Sequence, residues 1–370
     1  VLGLGAATAG ALMFPFAATP ALAADAYADV RAKWFALITG LPFDPTWPSI
    51  AASVQTLSVT ARDLANTMDT SAGRDRLWAD LPLGTASANA RTSFNFLKTV
   101  AMAYVTPGTD SHWDAAVLAK VEDGVAWLVN NIYVTSLPPR GYDNWWDWQI
   151  GIPNALLDMC TLLYDEFTPA TVQSYCTRVD HFTPDATIAA ATGANLLWWC
   201  RILVVGGALS DSSAKITHGL SALSPAFALS RTGDGLYTDG SFIQHTGRVA
   251  NVNGYGQSFL DSISSLTRIL AGSPWPVNHP DVSNIYNGIN RGLLPSVWDG
   301  LAMESMRGRG ISRRDGTDAG AGLGVANTLL KYADSVTDAN QAALWRSIAK
   351  GWIQRTSLDL STVVSIDLIS

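Results

Sequence analysis

Histidine and cysteine are scarce in this sequence: five and three residues in a chain of 370. Cys160, Cys176 and Cys200 match neither zinc nor redox spacing, so a cysteine-ligated metal or a redox pair is not expected. Their odd number leaves at least one unbridged, and buried free thiols are the expectation. Charged residues are also sparse, at 15%, and the formal net charge is −7. No global basic field exists to hold nucleic acid. An acidic polymer would need a locally positive cleft. Beyond the N-terminal stretch no run is apolar for long enough to span a bilayer. No His/Asp/Glu cluster has metal-ligand spacing, so neither metal nor cofactor is expected.

What is present is 48% hydrophobic residues, ample for a large core. Residues 1–24 carry no charge, are rich in Ala, Gly and Leu, and end in Ala21-Leu22-Ala23. This reads as part of a cleaved secretion signal, hence an extracellular protein without a membrane anchor in its mature form. An anchor is the competing reading, but Gly5, Gly10, Pro15 and Pro20 interrupt the run.

From residue 25 to 355 the periodicity is helical. Tyr27, Val30, Trp34, Leu37 and Ile38 form a stripe that stops at Gly40, a natural helix stop. Val117, Val121, Val125, Leu128 and Ile132 repeat at three- and four-residue steps. Leu344 and Ile348 do the same after the cap candidate Asp338. Pro/Gly breaks separate the helices without a strict repeat, which favours a ring of helical hairpins over a solenoid. Residues 356–370 differ: Val363, Val364, Ile366, Leu368 and Ile369 among Ser and Asp read as a linker or the start of a β domain.

Four segments concentrate aromatic, amide and charged residues. They are Asn144-Trp145-Trp146-Asp147-Trp148-Gln149-Ile150-Gly151, Thr192-Gly193-Ala194-Asn195, Asp239 to His245 continuing to Gly254-Tyr255-Gly256, and Met306-Arg307-Gly308-Arg309-Gly310-Ile311-Ser312-Arg313. Each is weak alone. In this order they resemble polysaccharide lyase family 8, the hyaluronate, chondroitin AC and xanthan lyases, over about residues 26–355. The resemblance implies an all-α fold, an incomplete (α/α) toroid of helical hairpins, with β-sandwich domains that lie beyond this sequence. It also implies a monomer acting on an acidic polysaccharide.

The reaction so implied is β-elimination. A weakly acidic proton leaves the carbon beside a uronate carboxylate, and the 4-linked sugar departs. The carboxylate must be neutralised, a base must reach the proton, and an acid must protonate the leaving oxygen. Asn195 is the candidate donor to the carboxylate, with Gly193 permitting close backbone approach. A helix N-cap is its structural alternative. Tyr255 is the candidate base and then acid. A phenol is a poor base at neutral pH, its ordinary pKa being about 10, so positive charge must sit close by. Arg309 and Arg313 are the candidates, on one face if the segment is helical, with Glu304 to orient one of them. His245 would assist Asn195 or act as base on an epimeric uronate. Trp145 and Trp146 suit a sugar platform, with Asn144, Gln244, Glu304 and Arg248 as further contacts and Trp148 in the core. Asn251 is a weaker candidate for substrate contact. The stretch from Thr246 to Gly254 looks one residue longer than the family's usual spacing.

Two other readings remain open at this point. A glycoside hydrolase on a similar toroid would need two facing carboxylates, for which Asp143, Asp147, Asp239 and Glu304 are available. A non-catalytic carbohydrate-binding protein would need the tryptophans but not the Asn/His/Tyr/Arg set.

Overall fold

A computed structural model describes residues 20–245, 249–312 and 316–355. Arg248, Arg313, most of the predicted leader and the predicted β segment at 356–370 lie outside the described residues. Pro20–Ala24 continue into the first helix.

Helices dominate. The first, α1 (Pro20–Thr39), buries Tyr27, Val30, Trp34 and Leu37. It stops where expected: Gly40 takes a φ of 71° and its N–H donates back to Ala36 at 2.9 Å. There follow α2 (Pro48–Thr67), α3 (Ser87–Val105), α4 (Ala115–Asn131), α5 (Ile152–Leu162), α6 (Pro169–Phe182), the single turn α7 (Asp185–Ala189), α8 (Gly193–Leu209) and α9 (Ser213–Leu223). The second half holds α10 (Gln257–Leu270), α11 (Val282–Gly288), α12 (Asp318–Ser335) and α13 (Ala339–Arg355).

Burial sorts the helices into two tiers. Every residue of α5 is buried, and α8 is apolar almost all round, as helices packed on several sides must be. By contrast α13 buries only Ala342, Trp345, Ala349 and Trp352, a single stripe at three- and four-residue spacing. The inner tier runs α3, α5, α8, α10, α12, each packed on the next. The outer helices α4, α6, α9 and α13 back onto α3, α5, α8 and α12, while α1 touches α5, α8 and α10 at once. This is the incomplete toroid of helical hairpins that the sequence pointed to. Side-chain caps start several members: Asp114 accepts from Ala116 and Val117 N–H on α4, and Asp338 from Asn340 and Gln341 N–H on α13.

Strands are confined to two short antiparallel pairs among the described residues. β1 (Gly235–Leu236) pairs with β2 (Phe242–Ile243), and β3 (Val297–Trp298) with β4 (Leu301–Ala302). Three π-helical turns also occur among the described residues, at Asp147–Gly151, Val252–Gly256 and Ile289–Leu293. Such turns accommodate an extra residue and re-aim side chains. The first leads into α5 and the second into α10. The three cysteines are free and buried, as expected. Among the described residues no helix is long and apolar enough to cross a membrane.

Candidate active site

The first two π turns border one cavity of about 750 Å³. Its wall includes Asn144, Trp145 and Trp146 before α5, Asn195 and Trp198 on α8, His245 after β2, Tyr255 in the second π turn, and Arg309 in the 3-10 turn Gly308–Ser312. Segments far apart in sequence thus meet here. Asn144, Asn195, His245, Tyr255 and Arg309 all line the cavity.

Tyr255 owes its position to Asn251, whose buried side chain accepts from the Tyr255 N–H at 3.0 Å and caps the π turn. Asn251 also packs against Gly308, which has a φ of 52°; a Cβ there would sit 2.6 Å from the Asn251 amide. One side chain therefore braces both the tyrosine turn and the turn carrying Arg309. The Arg309 Nη2 donates a hydrogen bond to the Tyr255 hydroxyl, and its Cζ lies 5.3 Å from the Tyr255 ring centroid. Arg309 has no carboxylate partner among the described residues. Asn253 is tied beneath: its amide donates to Ser296 C=O at 3.0 Å and accepts from the Ser296 hydroxyl at 2.6 Å.

The His245 ring meets the Tyr255 ring edge-on, with centroids 4.8 Å apart. His245 has a φ of 67°, a left-handed conformation uncommon outside glycine. Burial holds its pKa below the ordinary imidazole value, the nearby Arg309 charge lowers it further, and Asp234 partly opposes both.

Asn195 sits in the first turn of α8, half-buried, and its amide has no protein partner among the described residues. It is not the N-cap; that residue is Thr192. Gly193 does allow a close approach, but to the side chain of Gln244. Gln244 itself is buried behind the cavity wall and is not among the lining residues.

Aromatic residues form the floor. Trp146 meets Trp198 edge-on at 5.6 Å, and Trp198 lies 6.3 Å from Tyr255. Trp145 stacks on buried Trp199 at 5.7 Å. Trp145 and Trp146 are half-exposed, whereas Trp148 is fully buried, the division expected from the sequence.

Among the described residues Asp147 is the single carboxylate on the lining, and it is occupied. Arg91 Nε donates to it at 2.6 Å and the Ser87 hydroxyl at 2.6 Å. Of the other carboxylates considered, Asp143 accepts from Ser87, and Asp239 caps the Ser241 turn at the surface. Glu304 pairs with Arg307 rather than with Arg309, so the orienting role expected of it falls on a different arginine. The balance of charge facing the cavity is positive, from Arg91, Arg307 and Arg309. No group of three His, Cys, Asp or Glu able to hold a metal occurs among the described residues.

Arg91, Asn253, Gln257 and Ser258 line the cavity without having been singled out from sequence. Arg91 projects from α3, far upstream of the motifs, and nothing local marks it.

Comparison with known proteins identifies the helical domain that carries this cavity. A profile of the polysaccharide lyase family 8 N-terminal alpha-helical domain matches residues 34–351. A hyaluronate lyase of Thermasporomyces composti is 36% identical over 350 residues, 94% of this chain and 44% of that protein. A xanthan lyase of Bacillus sp. (strain GL1) is 35% identical over 90% of this chain and 35% of that protein. Among solved structures, Paenibacillus xanthan lyase superposes with a TM-score of 0.87 at 33% identity, covering 94% of this chain and 33% of that one. Streptomyces coelicolor A3 chondroitin AC lyase in complex with chondroitin sulphate gives 0.86 at 33% identity, over 93% and 48%. The chain spans less than half the length of each of these relatives.

Proposed function

The chain belongs to polysaccharide lyase family 8, in its N-terminal α-helical domain, and on that premise we propose that it cleaves a uronic-acid polysaccharide of the hyaluronan, chondroitin or xanthan type by β-elimination. The observation that carries the reading is the Arg309–Tyr255 hydrogen bond, in a cavity that Asn195 and His245 share. A tyrosine is a useful base only where positive charge supports its oxyanion, and Arg309 supplies that charge at the oxygen itself.

In the proposed reaction the Asn195 amide donates to the uronate carboxylate, with His245 assisting. Charge then flows into that group as the neighbouring C–H bond breaks. Tyr255 takes the proton. The electron pair of the broken bond forms the new carbon–carbon double bond, and the glycosidic C–O bond on the adjacent carbon breaks. The departing oxygen recovers a proton from the Tyr255 hydroxyl, returning the enzyme to its starting state. One group serves as base and acid on one face of the sugar, so the elimination is syn. Trp146 and Trp198 offer apolar faces to neighbouring sugars. The proposal locates the enzyme outside the cell, on the strength of the uncharged Ala-rich sequence at residues 1–24.

A hydrolase mechanism needs two carboxylates across the scissile bond. The described lining offers Asp147 alone, already bound by Arg91 and Ser87. The test is to treat hyaluronan, chondroitin sulphate and xanthan with the protein and follow ultraviolet absorbance of the unsaturated uronate. Chain cleavage with rising absorbance is expected. Cleavage that yields reducing ends and no absorbance would mean hydrolysis and end the lyase reading.

A further inference from the structure

We infer that Gln244 is a positioning residue for the proposed elimination, its buried amide locking the turn that carries Asn195 to the strand end that carries His245. The inference rests on the lyase reading and adds to it a residue outside the cavity wall.

The first N–H groups of any helix have no partner within it. In α8 the N-cap Thr192 gives no side-chain cap. Instead Gln244 Oε1, fifty residues away in sequence, accepts from Ala194 N–H at 2.9 Å. Asn195 is the next residue along that turn, and His245 is the next residue after Gln244. This hydrogen bond therefore ties the turn of Asn195 directly to the residue before His245.

The surrounding geometry leaves this contact no slack. Gly193 has a φ of 55°, and a Cβ there would lie 2.5 Å from Gln244 Oε1. Any larger residue would expel the amide. Gln244 is 4% exposed, and its Nε2 has no hydrogen-bond partner among the described residues. A buried donor left without a partner is unfavourable for folding. Among the described residues the side chain bonds through its oxygen, and the Ala194 N–H it faces sets the orientation of that oxygen.

Two substitutions test the inference. Gln244→Met keeps length and removes the acceptor; Gln244→Glu keeps an acceptor oxygen at the same reach. With ¹⁵N-alanine labelling, hydrogen exchange at the Ala194 amide should speed up in Gln244→Met and return towards wild type in Gln244→Glu. Misplacing a reacting group by about 1 Å costs up to ~10²-fold in rate, so kcat of Gln244→Met should fall ~10–10²-fold with KM little changed. Gln244→Glu should recover most of it. In an Asn195→Ala background Gln244→Met should cause little further loss, because it acts through the turn that carries Asn195.

Unchanged Ala194 exchange, or losses that multiply fully in the double variant, would overturn the role of Gln244 while leaving the lyase reading intact. A wild type that releases no unsaturated sugar would overturn the lyase reading, an outcome the exchange measurement does not share.

Discussion

Arg309 holds Tyr255 twice, by donating from Nη2 to its hydroxyl and by lying with Cζ 5.3 Å from its ring centroid. The hydrogen bond fixes where the oxygen points and stabilises negative charge on it. The ring contact limits how far the guanidinium can swing away. Both contacts depend on Asn251, which caps the turn of Tyr255 and abuts Gly308 immediately before Arg309.

Removing the hydroxyl is the most direct probe of this pair. Tyr255→Phe keeps the ring against His245 and Trp198 but leaves no atom to exchange a proton. Since general acid–base groups contribute about 10²–10⁴ in rate, kcat should fall by at least that much. Oligosaccharide binding, measured by calorimetry, should be nearly intact. Full turnover in this variant would exclude the tyrosine as the base.

Asn195 should behave differently, as a donor to developing charge. Asn195→Ala should lower kcat by ~10²–10³, the usual cost of one lost oxyanion-type donor. Asn195→Asp should be at least as damaging, because it sets a carboxylate against the substrate's own. Initial rates from absorbance of the unsaturated product decide both.

The proton equilibrium of His245 follows from its neighbours. Burial, then Arg309, depress its pKa below the ordinary 6.5, and Asp234 pulls the other way. Arg309→Met should raise the midpoint and Asp234→Asn should lower it, read from the imidazole resonances by NMR. The sign for stability is fixed by linkage. As pH falls below the ordinary value the unfolded imidazole binds a proton first. The unfolded state then holds more protons, and stability drops until the folded pKa is passed. His245→Gln should flatten that part of the profile of midpoint denaturant against pH.

Much of the fold was readable because a helix that buries one face writes a three- and four-residue period into the sequence. The stripe from Tyr27 to Leu37, its stop at Gly40 and the Asp338 cap are local facts, and local rules reach them. The π turns escaped because one extra residue breaks the period without leaving a composition signal. The two-residue strands are too short to alternate. In the site, Asn195, His245, Tyr255 and Arg309 drew notice because Gly, amides and aromatics cluster around them, and all four line one cavity. Arg91 had no such neighbours; it reaches the cavity only because α3 packs on α5 and on the π turn that holds Asp147. Gln244 sits among the motif residues, yet its side chain turns away from the cavity to Ala194, a partner fifty positions upstream. Arg248 and Arg313 fall outside the described residues.

Gly308 tests whether the Asn251 brace matters. Its φ of 52° lies where a β-carbon is strained, and that carbon would stand 2.6 Å from the Asn251 amide. Gly308→Ala should cost about 1–3 kcal/mol if the turn is held in place. If the turn shifts instead, stability changes little and Arg309 leaves the Tyr255 hydroxyl. In that second case kcat should fall more than KM rises, and a variant with both wild-type kcat and wild-type melting temperature would contradict the brace.

Trp146 and Trp145 stand side by side in sequence but should fail differently. Trp146 meets Trp198 edge-on and lines the cavity beside Arg91, whose Cζ is 6.0 Å from its ring. Trp145 is stacked on Trp199, which is buried. An aromatic pair contributes roughly 0.5–1.5 kcal/mol beyond the area it buries, so Trp145→Ala should show in the melting temperature. Trp146→Ala should instead raise KM for long polymer while leaving kcat close to wild type, because a platform binds the ground state and the transition state alike. If Trp146→Ala lowers kcat and spares KM, the indole supports the geometry of Trp198 and Tyr255 and is not a sugar platform.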